Sequence, residues 1–173
     1  MEAFEKLVQT DLHQYLQMMH EMDAVLPDAV DIENKWQDIA PTYLNDGIRE
    51  FANYPTAALG WMMYVGMAVA QFWDRNWQHY QQIDIYRTLR SPRGFDALDE
   101  YVMEEVLELN NFDATEALVS ECAARTLSNL RRQRIEPATP EAYRAFVAAL
   151  HQLYLMGAFV QLHRLGYHME RMG

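Results

Sequence analysis

From Phe51 to Trp73 the chain carries no charged residue, a window of 23 positions in a protein in which 23% of residues are charged. Such a run leaves two outcomes, because a helix that is apolar nearly all round is either the middle of a protein core or a membrane span. Its densely apolar part, Ala57 to Trp73, is 17 residues long and contains Gly60, Gly66 and Gln71. A span needs about 20 predominantly apolar residues. The flanks show no basic side, since Arg49 and Arg75 are each neighboured by an acid, Glu50 and Asp74. A comparable stretch from Phe146 to Leu162 carries His151, Gln152 and Gln161. The two read as a buried pair of core helices, with no membrane segment expected. Gly66 and Ala70, four apart, let a partner helix approach closely, and Gly157 is the counterpart in the second stretch.

The remaining pattern is helical. Phe4, Val8, Leu12, Tyr15, Met19, Met22 and Leu26 recur at steps of three and four, the stripe of a first helix that ends before Pro27. Asp28 and Asp31 open a second, with Ile32, Trp36 and Ile39, which Pro41 breaks or kinks; a shorter helix with Leu44, Ile48 and Phe51 follows. Pro55 suits the first turn of the next helix, which runs to about Gln82. Another helix is expected from Asp96 through Leu109. Asp113 with Glu116 caps the one after it, which ends near Arg134. Thr139, Pro140 and Glu141 start the last, which runs to about Met169. No segment alternates with a strand period. The expectation is an all-α, single-domain bundle over residues 1–173, with about six or seven helices, four or five of them long.

Composition narrows the function classes. The formal net charge is -11, a field that repels phosphate backbones and anionic bilayers, so neither nucleic acid nor membrane is expected as a partner. The single Cys122 cannot form an internal disulfide, and the N-terminal stretch reads as an amphipathic helix rather than a secretory signal; a cytoplasmic protein is expected.

Chemistry has few places to reside. Glu100, Glu104 and Glu108 fall at i, i+4 and i+8, so a regular helix would stack three like charges, with Glu105 beside them. Carboxylates in a row are what a hard divalent cation needs. The run Glu104-Glu105-Val106-Leu107-Glu108 has the EExxE spacing and resembles the metal-binding helix of the all-α nucleoside triphosphate pyrophosphatases. The resemblance covers these five residues. The second acidic pair of those enzymes, ExxD, has no equivalent on the next expected helix, which offers Glu116 and Glu121. It implies Mg²⁺ or Mn²⁺ held by Glu104, Glu105 and Glu108. Separately, Arg87, Arg90 and Arg93, spaced by three into a Ser-Pro loop, are a candidate site for phosphate or another anion, since arginine forks suit both phosphate and carboxylate. The plainer reading is a solvated acidic face, with the arginines paired to the surplus of acids.

Trp73, Trp77 and Tyr80 share a helix face and, with Trp61, mark either an interface or the mouth of a pocket; the plainer reading is rings that seal the bundle. His13 and His20 share a side of the first helix, with Asp23 one turn beyond, and His163 and His168 lie near the end of the chain. No metal-ligand spacing joins them, so they read as structural or solvated. Arg131, Arg132 and Arg134 complement a helix C-terminus. The leading functional expectation is a non-enzymatic interaction protein that self-associates into a homo-oligomer. A Mg²⁺- or Mn²⁺-dependent hydrolase of phosphorylated small molecules is the alternative, and a binder of a small apolar ligand, built around Trp61, Met62 and Met63, the second alternative.

Overall fold

The structure, a computed structural model, describes residues 1–168. These residues form seven α-helices and no strand: α1 (Glu2–Met18), α2 (Val30–Phe51), α3 (Pro55–Tyr80), α4 (Ile85–Arg90), α5 (Leu98–Tyr101), α6 (Asp113–Arg132) and α7 (Pro140–Arg164). Five are long, between 17 and 26 residues. The all-α bundle expected from periodicity is the observed fold.

The centre of the bundle is the pair α3 and α7, which share the most extensive interface. Every residue from Met62 to Ala70 and from Gln152 to Leu162 is buried. The two backbones touch through reciprocal glycines. A Cβ on Gly66 would lie 2.0 Å from the Tyr154 carbonyl oxygen, and one on Gly157 would lie 2.1 Å from that of Met63. No side chain fits at either position, so the absence of a Cβ sets how closely the helices cross. α7 is also the one described helix long and apolar enough to cross a membrane, and 89% of that window is buried inside the protein. The other long helices wrap the pair with one apolar face each, for example Phe4, Val8, Leu12 and Leu16 of α1.

Several boundaries differ from expectation, each for a local reason. α1 ends at Met18 rather than before Pro27, because His20 adopts φ 61 and the chain reverses. Pro41 neither ends nor splits α2. It sits on the exposed face, as does Gln37, whose carbonyl loses its amide partner and is left to water. The segment from Asp96 to Leu109 is not one helix. It is a 3₁₀ turn (Phe95–Ala97), the single turn of α5, and a π turn (Val102–Val106) closed by the Leu107 amide on the Val102 carbonyl at 2.8 Å. α6 is preceded by Asn111, whose side chain accepts from the Asp113 amide at 2.8 Å; Asp113 itself lies in the first turn. α7 starts as expected, with Thr139 Oγ1 accepting from the Ala142 amide at 3.1 Å and Pro140 in the first turn. It ends at Arg164; Met169 lies outside the described residues. Buried Lys35 closes α3 by donating from Nζ to the carbonyls of Gln81 (2.7 Å) and Ile83 (3.1 Å).

Candidate functional site

The four aromatic residues marked by the sequence occupy two places. Trp61 lies about 18 Å along α3 from Trp73, at 1.5 Å per residue. Its indole donates to the Phe95 carbonyl at 2.7 Å, and its ring meets Tyr64 edge-on. Trp73 donates to Asp31 Oδ2 at 3.5 Å and meets Tyr167 edge-on, while Tyr80 stacks on Phe72 with centroids 4.1 Å apart. Trp77 is half-buried against the core. Met62 and Met63, beside Trp61, are wholly buried.

Acids and arginines of the predicted anion and metal sites meet each other. Arg93 donates to Glu104 through both terminal nitrogens, at 3.3 and 3.2 Å, and to Glu105 at 3.4 Å. Arg90 donates to Asp46 at 2.9 Å, Tyr86 donates to the same carboxylate oxygen at 2.5 Å, and Arg87 lies 3.8 Å from Asp84. Burial alone would raise the Asp46 pKa. The hydrogen bonds from Tyr86 and Arg90, with the charges of Arg90 and Arg49, outweigh it and hold the carboxyl below its ordinary range. The π turn also changes the register of the acidic row, and Glu108 leaves the helix at φ 52. Among the described residues, the one group of three potential ligands whose donor atoms all lie within 4.8 Å of one another is elsewhere: Asp23, His163 and His168. Burial pushes the Cys122 thiol up to about 12, which suits a packing residue rather than a nucleophile.

A cavity lies at the end of the bundle where α2 and α6 finish and α3 and α7 begin. It measures about 890 Å³. Ile48 and Phe51 of α2, Pro55 of α3, Leu127 and Leu130 of α6, Ile135 and Pro137 of the following loop, and Tyr143 and Phe146 of α7 form its walls. Phe51 and Phe146 stack obliquely in that wall, centroids 4.6 Å apart. A smaller cavity of about 500 Å³ adjoins it, sharing Leu127 and Arg131 and adding Thr56, Ser128, Arg132 and Arg134.

The second cavity is basic, with three arginines close together in sequence on its wall. Lys35, Arg49, Arg87, Arg90, Arg93, Arg125 and Arg164 each have a carboxylate partner. Among the described residues Lys6, Arg75 and Arg144 have none, and neither do Arg131, Arg132 and Arg134, the three that cluster in sequence, although the chain carries 25 acids. They stand beside the first turn of α3, where Thr56 lies and no side chain caps the helix. An uncapped helix start presents amide donors and the positive end of a dipole. The loop between α6 and α7 is strained: Arg134 and Ala138, neither of them glycine, have φ 52 and 62. Left-handed backbone at such residues costs ~1–2 kcal/mol each, and strain of this kind is concentrated where a site needs it.

Sequence reasoning assigned Arg131, Arg132 and Arg134 to the helix dipole and missed the cavity. The available signal was a tight basic cluster followed by Ile135 and Pro137 in an acidic chain. No known protein family, curated protein or solved structure matches the chain.

Proposed function

We propose that the protein binds a small anionic amphiphile, with the apolar body in the larger cavity and the anionic head against Arg131, Arg132 and Arg134. The observation that carries the reading is the shared wall. Leu127 and Arg131 line both an apolar cavity and a basic one, and among the described residues Arg131, Arg132 and Arg134 have no carboxylate partner. The larger volume falls in the ~300–1,000 Å³ range of ligand pockets, which combine apolar walls with a few polar groups. Arginine forks suit either a carboxylate or a phosphate head.

The test is calorimetric titration with decanoate, decyl phosphate and decanol below their aggregation concentrations. Both anions bind at one per chain, at least tenfold tighter than decanol. Affinity rises about fourfold for each methylene added until the cavity is full, at ~0.8 kcal/mol per buried methylene. Arg131→Ala with Arg134→Ala removes the preference for anions, and Ile48→Glu, at an exposed position on the wall, abolishes binding of all three. Failure of both anions to bind, or binding indifferent to the double variant, overturns the proposal.

The self-association reading draws on one observation. Ile48 and Tyr143, on the wall of the cavity, are 45% and 47% exposed. A second copy covering this mouth would give a dimer by light scattering that Ile48→Glu dissociates; a monomer at all concentrations sinks it.

A further inference from the structure

We propose that Asp23, His163 and His168 form a site for a divalent transition metal of the zinc class, with one coordination position open to water. The site lies apart from the amphiphile cavity and does not depend on it.

The three residues come from two chain reversals of one type. α1 ends in a motif in which the Glu21 amide donates to Leu16 (2.9 Å) and the His20 amide to Gln17 (3.0 Å), with His20 in the left-handed region. α7 ends the same way. The Tyr167 amide donates to Leu162 and the Gly166 amide to His163, each at 3.0 Å, with Gly166 at φ 100. The first reversal brings Asp23 alongside α7. The second folds His168 back over His163, the two rings perpendicular with centroids 4.8 Å apart.

One donor atom from each of the three residues converges to within 4.8 Å of the others. His163 Nε2 lies 3.3 Å from Asp23 Oδ1, and His168 Nδ1 lies 3.3 Å from Asp23 Oδ2. A charge-assisted hydrogen bond would be shorter, ~2.7–2.9 Å. Tetrahedral zinc with bonds of ~2.0–2.1 Å to nitrogen and oxygen has ligand-to-ligand edges of about 3.3–3.4 Å; each imidazole faces a different Asp23 oxygen, so the carboxylate has to turn to bring one oxygen to both. Two imidazoles and one carboxylate, converging within 4.8 Å, are the three protein ligands of a site that leaves a fourth position to solvent.

The surroundings hold the ligands in place. His13 Nε2 bonds the Asp23 carbonyl at 2.8 Å, fixing the backbone that carries the carboxylate. Arg164 grips Glu21 with two bonds, at 2.8 and 3.0 Å, and so ties the same loop to α7 beside His163. Tyr167 donates to Asp74 at 2.7 Å and packs on Trp73, which pins the second reversal. α1 and α7 both end at this corner, and the negative ends of two helix dipoles favour a cation there. These bonds fix the backbone segments that carry the three residues.

The test uses the untagged, chelator-treated chain in equilibrium dialysis against Zn²⁺, and in titration with Co²⁺ as a spectroscopic probe. One Zn²⁺ binds per chain and raises the melting temperature by roughly 5–10 °C at about a hundredfold excess over Kd. Bound Co²⁺ gives the intense visible absorption of a four-coordinate ion, and Zn²⁺ displaces it. His168→Ala, at an exposed residue beyond α7, and Asp23→Asn each weaken Zn²⁺ at least tenfold, while His79→Ala, at an exposed histidine outside the set, leaves stoichiometry and Kd unchanged. Circular dichroism establishes that each variant is folded. No retained Zn²⁺ in the wild type, or equal retention in a folded His163→Ala/His168→Ala variant, overturns the proposal.

Discussion

The two ends of α7 are about 36 Å apart at 1.5 Å per residue, and they differ in how charge is neutralised. At the C-terminal end Arg164 makes two bonds to Glu21 and a third to Thr115 at 2.9 Å. At the N-terminal end Arg131, Arg132 and Arg134 have no carboxylate partner among the described residues. The difference separates two uses of arginine. One cross-links elements of the fold, and its loss leaves buried polar groups without partners. The other stands beside a cavity, and its loss should cost the fold little. In a chain with a net charge of -11, three neighbouring arginines without a carboxylate partner among the described residues are the feature on which the proposed anion site rests.

The largest expected effect removes the comparison altogether. Both ends depend on the crossing of α3 and α7, where a Cβ on Gly157 would sit 2.1 Å from the Met63 carbonyl oxygen. That neighbour is backbone and cannot rotate away, so Gly157→Leu forces α3 and α7 apart along their length. The expected loss is at least ~3 kcal/mol, the upper part of the range for overpacking. Amphiphile and metal binding should fail together. Urea unfolding measures it, and a midpoint close to wild type would show that the helix pair does not depend on this approach.

A direct comparison of arginines comes next. Arg164→Met leaves Glu21 and buried Thr115 without their donor, and should cost about 1.5–3 kcal/mol, the worth of hydrogen bonds to a charged group. Arg131→Met should change stability by less than ~0.5 kcal/mol, the usual range for a surface substitution. Equal costs for the two would erase the distinction between a cross-linking and a ligand-facing arginine.

Acid can turn a paired arginine into an unpaired one without mutation. Arg90 and Tyr86 hold Asp46 below the ordinary carboxylate range. A depressed pKa in the folded state contributes stability above the unfolded value of about 3.9. That contribution is lost as pH falls through the folded value. Asp46→Asn removes it at all pH values. The wild type should therefore be the more stable protein at pH 7 by about 1–2 kcal/mol, and the two should converge as pH drops below ~4. Parallel stability curves from pH 7 to 2 would show that this carboxylate does not titrate against the fold.

How much of this was legible follows from the distance over which each feature is encoded. The all-α fold rests on periodicity within single helices, and the central pair on two charge-poor windows with Gly66 and Gly157. Both signals are local, and both read directly. Pro41 misleads because its cost depends on which way the residue faces, and it faces water. The metal corner has no local spacing at all. Asp23 and His163 are far apart in sequence, and the turn that joins them depends on a left-handed histidine where glycine would have been the signal. The cavity is likewise assembled from four helices and one loop, and only its basic rim is contiguous in sequence.

The acidic row offers the smallest effect and the sharpest limit on the pairing rule. As a regular helix it would stack Glu100, Glu104 and Glu108, three repelling charges with no basic residue among them. The π turn removes Glu108 from that stack, and Arg93, contributed by the loop before the segment, bridges Glu104 and Glu105. The Arg93 ion pairs differ from those of Arg164 in exposure: Glu104 and Glu105 are 53% and 54% exposed, against 23% for Glu21. An exposed pair keeps most of its solvation and is screened by salt, so it is worth ~0–1 kcal/mol. Glu104→Gln should therefore shift stability by no more than ~0.5 kcal/mol, and by still less in 1 M salt, where screening acts over about 3 Å. A loss comparable to that of Arg164→Met would mean that pairing alone, without burial, makes an arginine structural. A negligible change would place the dividing line between the two kinds of arginine at burial.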